Sequence, residues 1–478
     1  MPRVDHRRGG GPRVLRPLAL VAGRRRSPRA RERIGRAHAG ARARLRACER
    51  PSWRWRRSTA PDWERLVERL DRATRTVPTF RQRLVPSPLR LATPRWVTDP
   101  DFDLAWHLRR IAVPEGGGPE AVLEIARAAS MAAFDPARPL WTFTLVEGLA
   151  DGSAALVLKV HHALTDGIGG VQIAAHVVDL DRAGVDLGPP PPAPEPERTS
   201  PLGDLAEALA HDARRVAGAA SGALRTFPAT ALAAARDPLG AASGAVADAR
   251  SVLRMVRPVT DTRSTVMRDR SLVRHLERVD VPMPYLRRAA DRIGGTLNDA
   301  FVGGLAGGLR RYHEHHGAPV ESLRVTMPIS VRADDDEIGG NHVTLVRFDL
   351  PVGIEHPQER MWRIHELCRE QRAERGIDRS EAIAAALNLL PVSVTGGMLR
   401  HVDLLASNVP GLPGEVFLAG AKVTGFHAYG ATLGSAANIT LMSYAGTACI
   451  GVNTDAAAVP DPSVFAHCLR QGFAELLT

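Results

Sequence analysis

His161-His162-Ala163-Leu164-Thr165-Asp166-Gly167 sets two histidines, an aspartate and a glycine within seven positions, directly behind the apolar run Ala154-Ala155-Leu156-Val157-Leu158-Lys159-Val160. That run is short and rich in branched residues, which predicts a buried strand. Ile168, Val171, Ala175 and Val178 follow at helical spacing and predict a helix over 168–180. The local order is strand, turn, helix, with the histidines at the strand's end.

On an extended segment His161 and His162 point to opposite faces, so they are not expected to share a metal or a proton, and only one faces a reaction channel. A neutral imidazole within reach of a hydroxyl takes its proton as the oxygen attacks a carbonyl, help worth about 10² to 10⁴ in rate. Asp166 either orients an imidazole or pairs with an arginine to hold the turn, and spacing alone does not choose. Gly167 supplies backbone freedom at the bend.

At these residues the chain resembles the bacterial wax ester synthase and diacylglycerol acyltransferase family, whose motif is His-His-x-x-x-Asp-Gly. The wider coenzyme A-dependent acyltransferases and the peptide-synthetase condensation domains share that motif. Further segments resemble the narrower family: Pro139-Leu140-Trp141, Thr296-Leu297-Asn298-Asp299, Met327-Pro328-Ile329-Ser330-Val331-Arg332, and Gly340-Asn341 with Leu350-Pro351. Ser407-Asn408-Val409-Pro410-Gly411, Asn438-Ile439-Thr440-Leu441-Met442-Ser443-Tyr444-Ala445-Gly446, Asp455 and Val459-Pro460-Asp461 continue the pattern. The resemblance covers about 60–478.

It implies an α/β, two-domain chloramphenicol acetyltransferase-like fold with the active-site channel between the domains. It also implies transfer of a long-chain acyl group from acyl-CoA, as co-substrate, to diacylglycerol or a fatty alcohol, with no permanently bound cofactor and no metal. His162 is expected as the general base, His161 and Asp166 as holders of the motif, Gly167 at the turn, and Asn298 as a polar stabiliser of the developing oxyanion. Pro139, Leu140, Trp141, Ser407 and Asn408 are expected at the substrate.

Plainer readings stand beside these. A large aromatic such as Trp141 mainly buries area, Asn298 could cap the helix running through Phe301, Leu305 and Leu309, and Ser407-Asn408 could form an ordinary turn before Val409-Pro410-Gly411. His313-Glu314-His315-His316 lacks the His-Glu-x-x-His register of a metal site and reads as a solvated helix end. Gly303-Gly304 with Gly307-Gly308 gives small residues four apart and reads as a packing face, with an acyl groove as the functional alternative. The apolar stretch there is too short for a membrane span of about 20 residues.

The net charge of +11 over 478 residues would suggest a nucleic-acid partner. Residues 1–58, however, carry 19 Arg against Asp5, Glu32 and Glu49, a net +16, which leaves −5 on the remaining 420. No basic stripe interleaved with aromatics follows, so no nucleic-acid partner is expected. Arginine outnumbers lysine 61 to 2, as in a GC-rich genome. Residues 1–58 are therefore read as a disordered tail from a start codon called too early, ahead of an anionic-surface arm or a targeting segment. The resemblance implies a strand-bearing segment before the helix at 63–76, and none is recognised. A catalytically weak lipid-binding paralogue is thus one alternative, and condensation chemistry on a carrier-bound thioester is another.

Residues 59–187 form the expected N-terminal domain, alternating helix-like segments with an extended 102–108. A Pro-rich break at 188–196 and an amphipathic crossover fill 188–284, with Leu205, Leu209 and Val216 available to touch lipid or to pack over the crossover. Residues 285–478 form the second α/β domain, closed by a helix at 465–477. Cys48, Cys368, Cys449 and Cys468 show neither metal-ligand spacing nor a disulfide framework, as reduced cytoplasmic thiols would. The expected location is cytoplasmic, with peripheral contact at the inner membrane face or lipid droplets.

Overall fold

A computed structural model describes residues 60–86, 94–114, 116–165, 167–197, 200, 202–211, 213–214, 217–218, 261–330, 343–372, 401–412 and 414–477. The N-terminal half opens with α1 (Trp63–Thr76), β1 (Gln82–Val85), β2 (Arg95–Thr98), α2 (Leu104–His107) and β3 (Leu108–Ala112). It continues through α3 (Pro119–Met131), β4 (Trp141–Glu147), β5 (Ala155–Val160) and α4 (Gly167–Ala175). The C-terminal half comprises β6 (Arg274–Pro282), α5 (Met283–Asp291), α6 (Leu297–His315), β7 (Ser322–Ser330), β8 (Val343–Pro351) and α7 (Pro357–Arg372). It ends with β9 (Leu404–Val409), β10 (Phe417–Leu418), β11 (Ala421–Lys422), β12 (Ala437–Tyr444), β13 (Thr447–Asp455) and α8 (Pro462–Glu475).

Two sheets carry these halves. The smaller has the order β3-β4-β5, with β3 parallel and β5 antiparallel to β4. The larger has the order β6-β13-β12-β9-β7-β8, with β9 running parallel to both neighbours. Strand β5 lies where the apolar run placed it, but at the edge of its sheet it is half-buried rather than buried, with Leu158 exposed; α4 begins at Gly167 and stops at Ala175, short of the expected 180. Residues 102–108 are not extended throughout. Asp103 accepts from Ala105 N–H at 2.9 Å and caps the single helical turn α2 before β3 starts.

Glycine explains how α6 comes to be buried along most of its length. Any Cβ at Gly304 would collide with the Phe473 ring, and one at Gly472 with the backbone of Gly304 and Gly308, so α6 and α8 meet almost backbone to backbone. Gly303 faces Met361 of α7. The small-residue face is a packing face, filled by two helices rather than open as an acyl groove. His313 is likewise not solvated. It is fully buried, bonded through Nε2 to Ser264 Oγ at 2.8 Å and through Nδ1 to the Leu309 carbonyl at 2.9 Å.

The Pro-rich break is held rather than loose. Arginines of α1 donate to carbonyls spaced three residues apart: Arg65 to Arg182, Arg69 to Val185, Arg72 to Gly188 and Arg75 to Pro191. Beyond it 202–211 is helical, and most of the remaining crossover lies outside the described residues, as do the tail and Cys48. Leu202 and Leu209 are 82% and 48% exposed on that helical run.

The C-terminal half also reaches into the N-terminal one. The hairpin β10–β11 places Ala419 in the N-terminal core, bonds Ala419 O to Asp62 N–H, and pairs Phe417 with Asp179 in both directions at 2.8 Å. Asp179 is in turn gripped by Arg65 at 2.5 Å and Arg69 at 2.7 Å. Overpacking a tight interior costs about 1–3 kcal/mol. Gly472→Ala is accordingly expected to lower the urea unfolding free energy by about that amount, whereas Gly317→Ala, on an open turn with φ 67°, acts through backbone strain alone.

Candidate active site

Strand β5 delivers the motif. Its last residue, Val160, pairs with Trp141, and His161 N–H then donates to the Leu140 carbonyl at 2.9 Å. Leu140 and Trp141 are 6% and 1% exposed. Trp141 Nε1 donates to Phe80 O at 2.9 Å, while His107 stacks on the indole at 4.3 Å and bonds its carbonyl at 2.7 Å. Pro139-Leu140-Trp141 therefore supports the first histidine through backbone and core packing, and the Trp141 side chain is not presented as a substrate wall.

After Val160 the chain turns instead of running on as strand. Leu164 N–H donates to His161 O at 2.9 Å, and the Leu164 side chain is wholly buried in the N-terminal core. The expected opposite-face arrangement is overridden by this turn, and both histidines are exposed.

The two imidazoles differ in what holds them. His161 Nδ1 accepts from Ala163 N–H at 3.1 Å, which leaves the proton of the neutral ring on Nε2. Phe134 packs edge-on at 5.9 Å, and Lys159 lies over the Phe134 ring at 4.1 Å. Partial desolvation, followed by the neighbouring His162, pushes the His161 pKa below the usual imidazole value. His162 has no side-chain hydrogen bond among the described residues. Asp166 lies outside the described residues.

Gly167 opens α4, and its φ is not in the left-handed region. Backbone freedom at a turn is therefore not its reason. A Cβ there would lie 2.8 Å from Val409 Cγ2, so the glycine permits close approach of α4 to the end of β9. Ser407 and Asn408, half-buried, are the residues just before Val409 in that strand and do not form a turn. They pair with Thr440 and Leu441 of β12. The chain then bends against β12, where Gly411 N–H donates to Ser443 Oγ at 3.1 Å and a Cβ at Gly411 would strike the Ser443 carbonyl. Val171 of α4 packs on Leu412, Val416, Tyr444 and Cys449.

Asn298 is placed differently from expectation. Thr296 caps α6 and Asp299 completes the capping box, so Asn298 is not the cap. Its amide donates to Cys368 Sγ on α7 at 3.8 Å, and nothing among the described residues joins it to the histidines. Asp299 also accepts from His365 Nδ1 at 2.8 Å, which makes it a brace between α6 and α7. Gly340, Asn341, Val331 and Arg332 lie outside the described residues. The supports missed from sequence were Leu164 and Val409. Both stand inside quoted motifs, but their partners are remote in the chain.

The catalytic-domain model of the wax ester synthase/diacylglycerol acyltransferase family matches residues 35–301, and the model of its C-terminal domain matches 339–477. The chain belongs to this family. The match begins inside the 1–58 span that composition sets apart. A Mycobacterium tuberculosis protein named as a diacylglycerol O-acyltransferase is 39% identical over 424 residues, covering 87% of this chain and 85% of that one. The solved wax ester synthase/diacylglycerol acyltransferase from Marinobacter aquaeolei VT8 aligns with a TM-score of 0.58 at 23% identity, over 88% of this chain and 92% of that one. The first condensation domain of the calcium-dependent antibiotic synthetase aligns at 0.52 with 14% identity, over 88% and 90%. These likenesses establish the two-domain chloramphenicol acetyltransferase-like fold of the acyltransferases.

Two outcomes check the site's geometry. Gly167→Ala is expected to cost about 1–3 kcal/mol of unfolding free energy, much of it returned in Gly167→Ala/Val409→Ala, because the clash is with one side chain; additive losses would contradict the contact. In an NMR titration His161 is expected to have its midpoint below 6.5, moving upward in His162→Ala as the neighbouring charge disappears.

Proposed function

We propose that this protein transfers a long-chain acyl group from acyl-CoA to the free hydroxyl of diacylglycerol, giving triacylglycerol, and accepts a fatty alcohol as a second acceptor, giving a wax ester. His162 is the general base. Its neutral ring takes the hydroxyl proton as the oxygen attacks the thioester carbonyl carbon. The tetrahedral intermediate expels sulfur, and the imidazolium returns the proton to give free CoA, with no acyl-enzyme.

The observation that carries this reading is the contrast within the turn. His161 is tied through Nδ1 to its own backbone, whereas His162 is exposed and unpartnered among the described residues. Family membership supplies the reaction class. The name of the 39% identical relative favours diacylglycerol as principal acceptor. Ser407 and Asn408, beside Val409 on β9, and the Pro139-Leu140 backbone are the proposed substrate-side neighbours. Asp166 is proposed to hold the turn and Asn298 to brace the second half.

Among the described residues no helix is long and apolar enough to cross a membrane. We propose that the lipid acceptor is reached by peripheral contact at a membrane face or lipid inclusion, for which the exposed Leu202 and Leu209 offer apolar surface.

CoA release from palmitoyl-CoA, with dipalmitoylglycerol or hexadecanol as acceptor, tests the proposal. Release is expected to depend on acceptor and to fall by about 10² or more in His162→Ala. Wild-type turnover in that variant would remove His162 from the mechanism, and acyl-CoA binding without release by the wild type would mark a lipid-binding paralogue.

A further inference from the structure

Asp280, His427 and Cys449 converge outside the histidine turn. One carboxylate oxygen, one imidazole nitrogen and the sulfur all lie within 4.8 Å of one another. Asp280 and Cys449 are directly opposed residues of β6 and β13, so their side chains share one face of the large sheet. His427 comes from the loop between β11 and β12, with Nε2 2.6 Å from Asp280 Oδ1. The three span a gradient of exposure. The Asp280 side chain is 44% exposed, His427 16%, and Cys449 is 1% exposed.

We propose that these three side chains form a binding site for a borderline divalent transition ion such as zinc. Sulfur, imidazole and a single carboxylate form a donor set that suits such ions over magnesium or calcium, which take oxygen. Three protein ligands plus water complete a tetrahedron. One carboxylate and one thiolate balance two positive charges. Bonds of about 2.0–2.3 Å give ligand-to-ligand edges of about 3.3–3.8 Å, so entry of the ion widens the His427–Asp280 contact by roughly 1 Å and draws the thiol inward. The half-exposed Asp280 side chain leaves the site open to solvent on one side. A bound ion would pin the 423–434 loop to the sheet, in the cluster where Phe426 and Val171 of α4 pack against Cys449.

The test uses the full chain, purified without a metal-affinity tag, stripped with EDTA and titrated with Co²⁺. One equivalent is expected to bind with a thiolate-to-cobalt charge-transfer band in the near ultraviolet. That band should vanish in Cys449→Ser and need at least tenfold more Co²⁺ in His427→Ala, with far-UV circular dichroism unchanged. Should Cys449→Ser fail to fold, His427→Ala and Asp280→Asn, on the exposed side, carry the same test. Absence of a sulfur band at millimolar Co²⁺, or a band that survives in Cys449→Ser or is unaffected by His427→Ala, overturns the proposal and leaves an Asp280–His427 pair beside a packed thiol.

Discussion

The approach of Gly167 to Val409 is the constraint on which the site's construction depends. A helix start bearing any side chain would stand off the end of β9, and the histidine turn would move with it. Because the interior is close-packed, such a displacement spreads rather than being absorbed locally. Around this contact the other supports are arranged in series. Leu164 anchors the turn in the N-terminal core, Leu140 O fixes the backbone at His161, and Val171 seats α4 on the C-terminal cluster. The candidate site thus takes its supports from both halves, although every residue of the His-His-x-x-x-Asp-Gly motif comes from one.

A second tie keeps the halves in register. The β10–β11 hairpin leaves the large sheet's half and inserts Ala419 into the other core, while the buried Asp179 beside it draws two arginines from α1. Removing one partner from a buried ion pair leaves charge without compensation. The arginine spacing on α1 serves a further purpose, since it matches successive carbonyls of the 182–191 segment and fastens the entry to the crossover. The four arginines of this helix are therefore spent on internal acceptors.

Strand β5, the turn after it, the closing helix α8 and the family were legible in the sequence, because an apolar run and fixed motif residues are local signals. The fold class followed from the order of several motifs. What local pattern could not give was the purpose of each small or polar residue. Gly167 reads as a hinge when its neighbours are considered alone, and becomes a close-approach residue only when Val409 of β9 arrives from 242 residues away. Gly304 and Gly472 show the same limit, since each is explained by the other's helix. His313 reads as solvated from its charged surroundings, yet Ser264 provides a partner that permits burial. Asn298 is the second residue of a helix whose cap is Thr296, and its bond to Cys368 depends on how α7 lies across α6.

The most direct test of the central claim is a crystal structure of the protein with a non-transferable thioether analogue of palmitoyl-CoA and diacylglycerol. The account predicts the acceptor hydroxyl within hydrogen-bond reach of His162, about 2.6–3.2 Å, in a channel bordered by Ser407 and Asn408 at the end of β9. An acceptor hydroxyl placed against His161 instead, or a ligand seated away from the junction between the Gly167 turn and Val409, would contradict it.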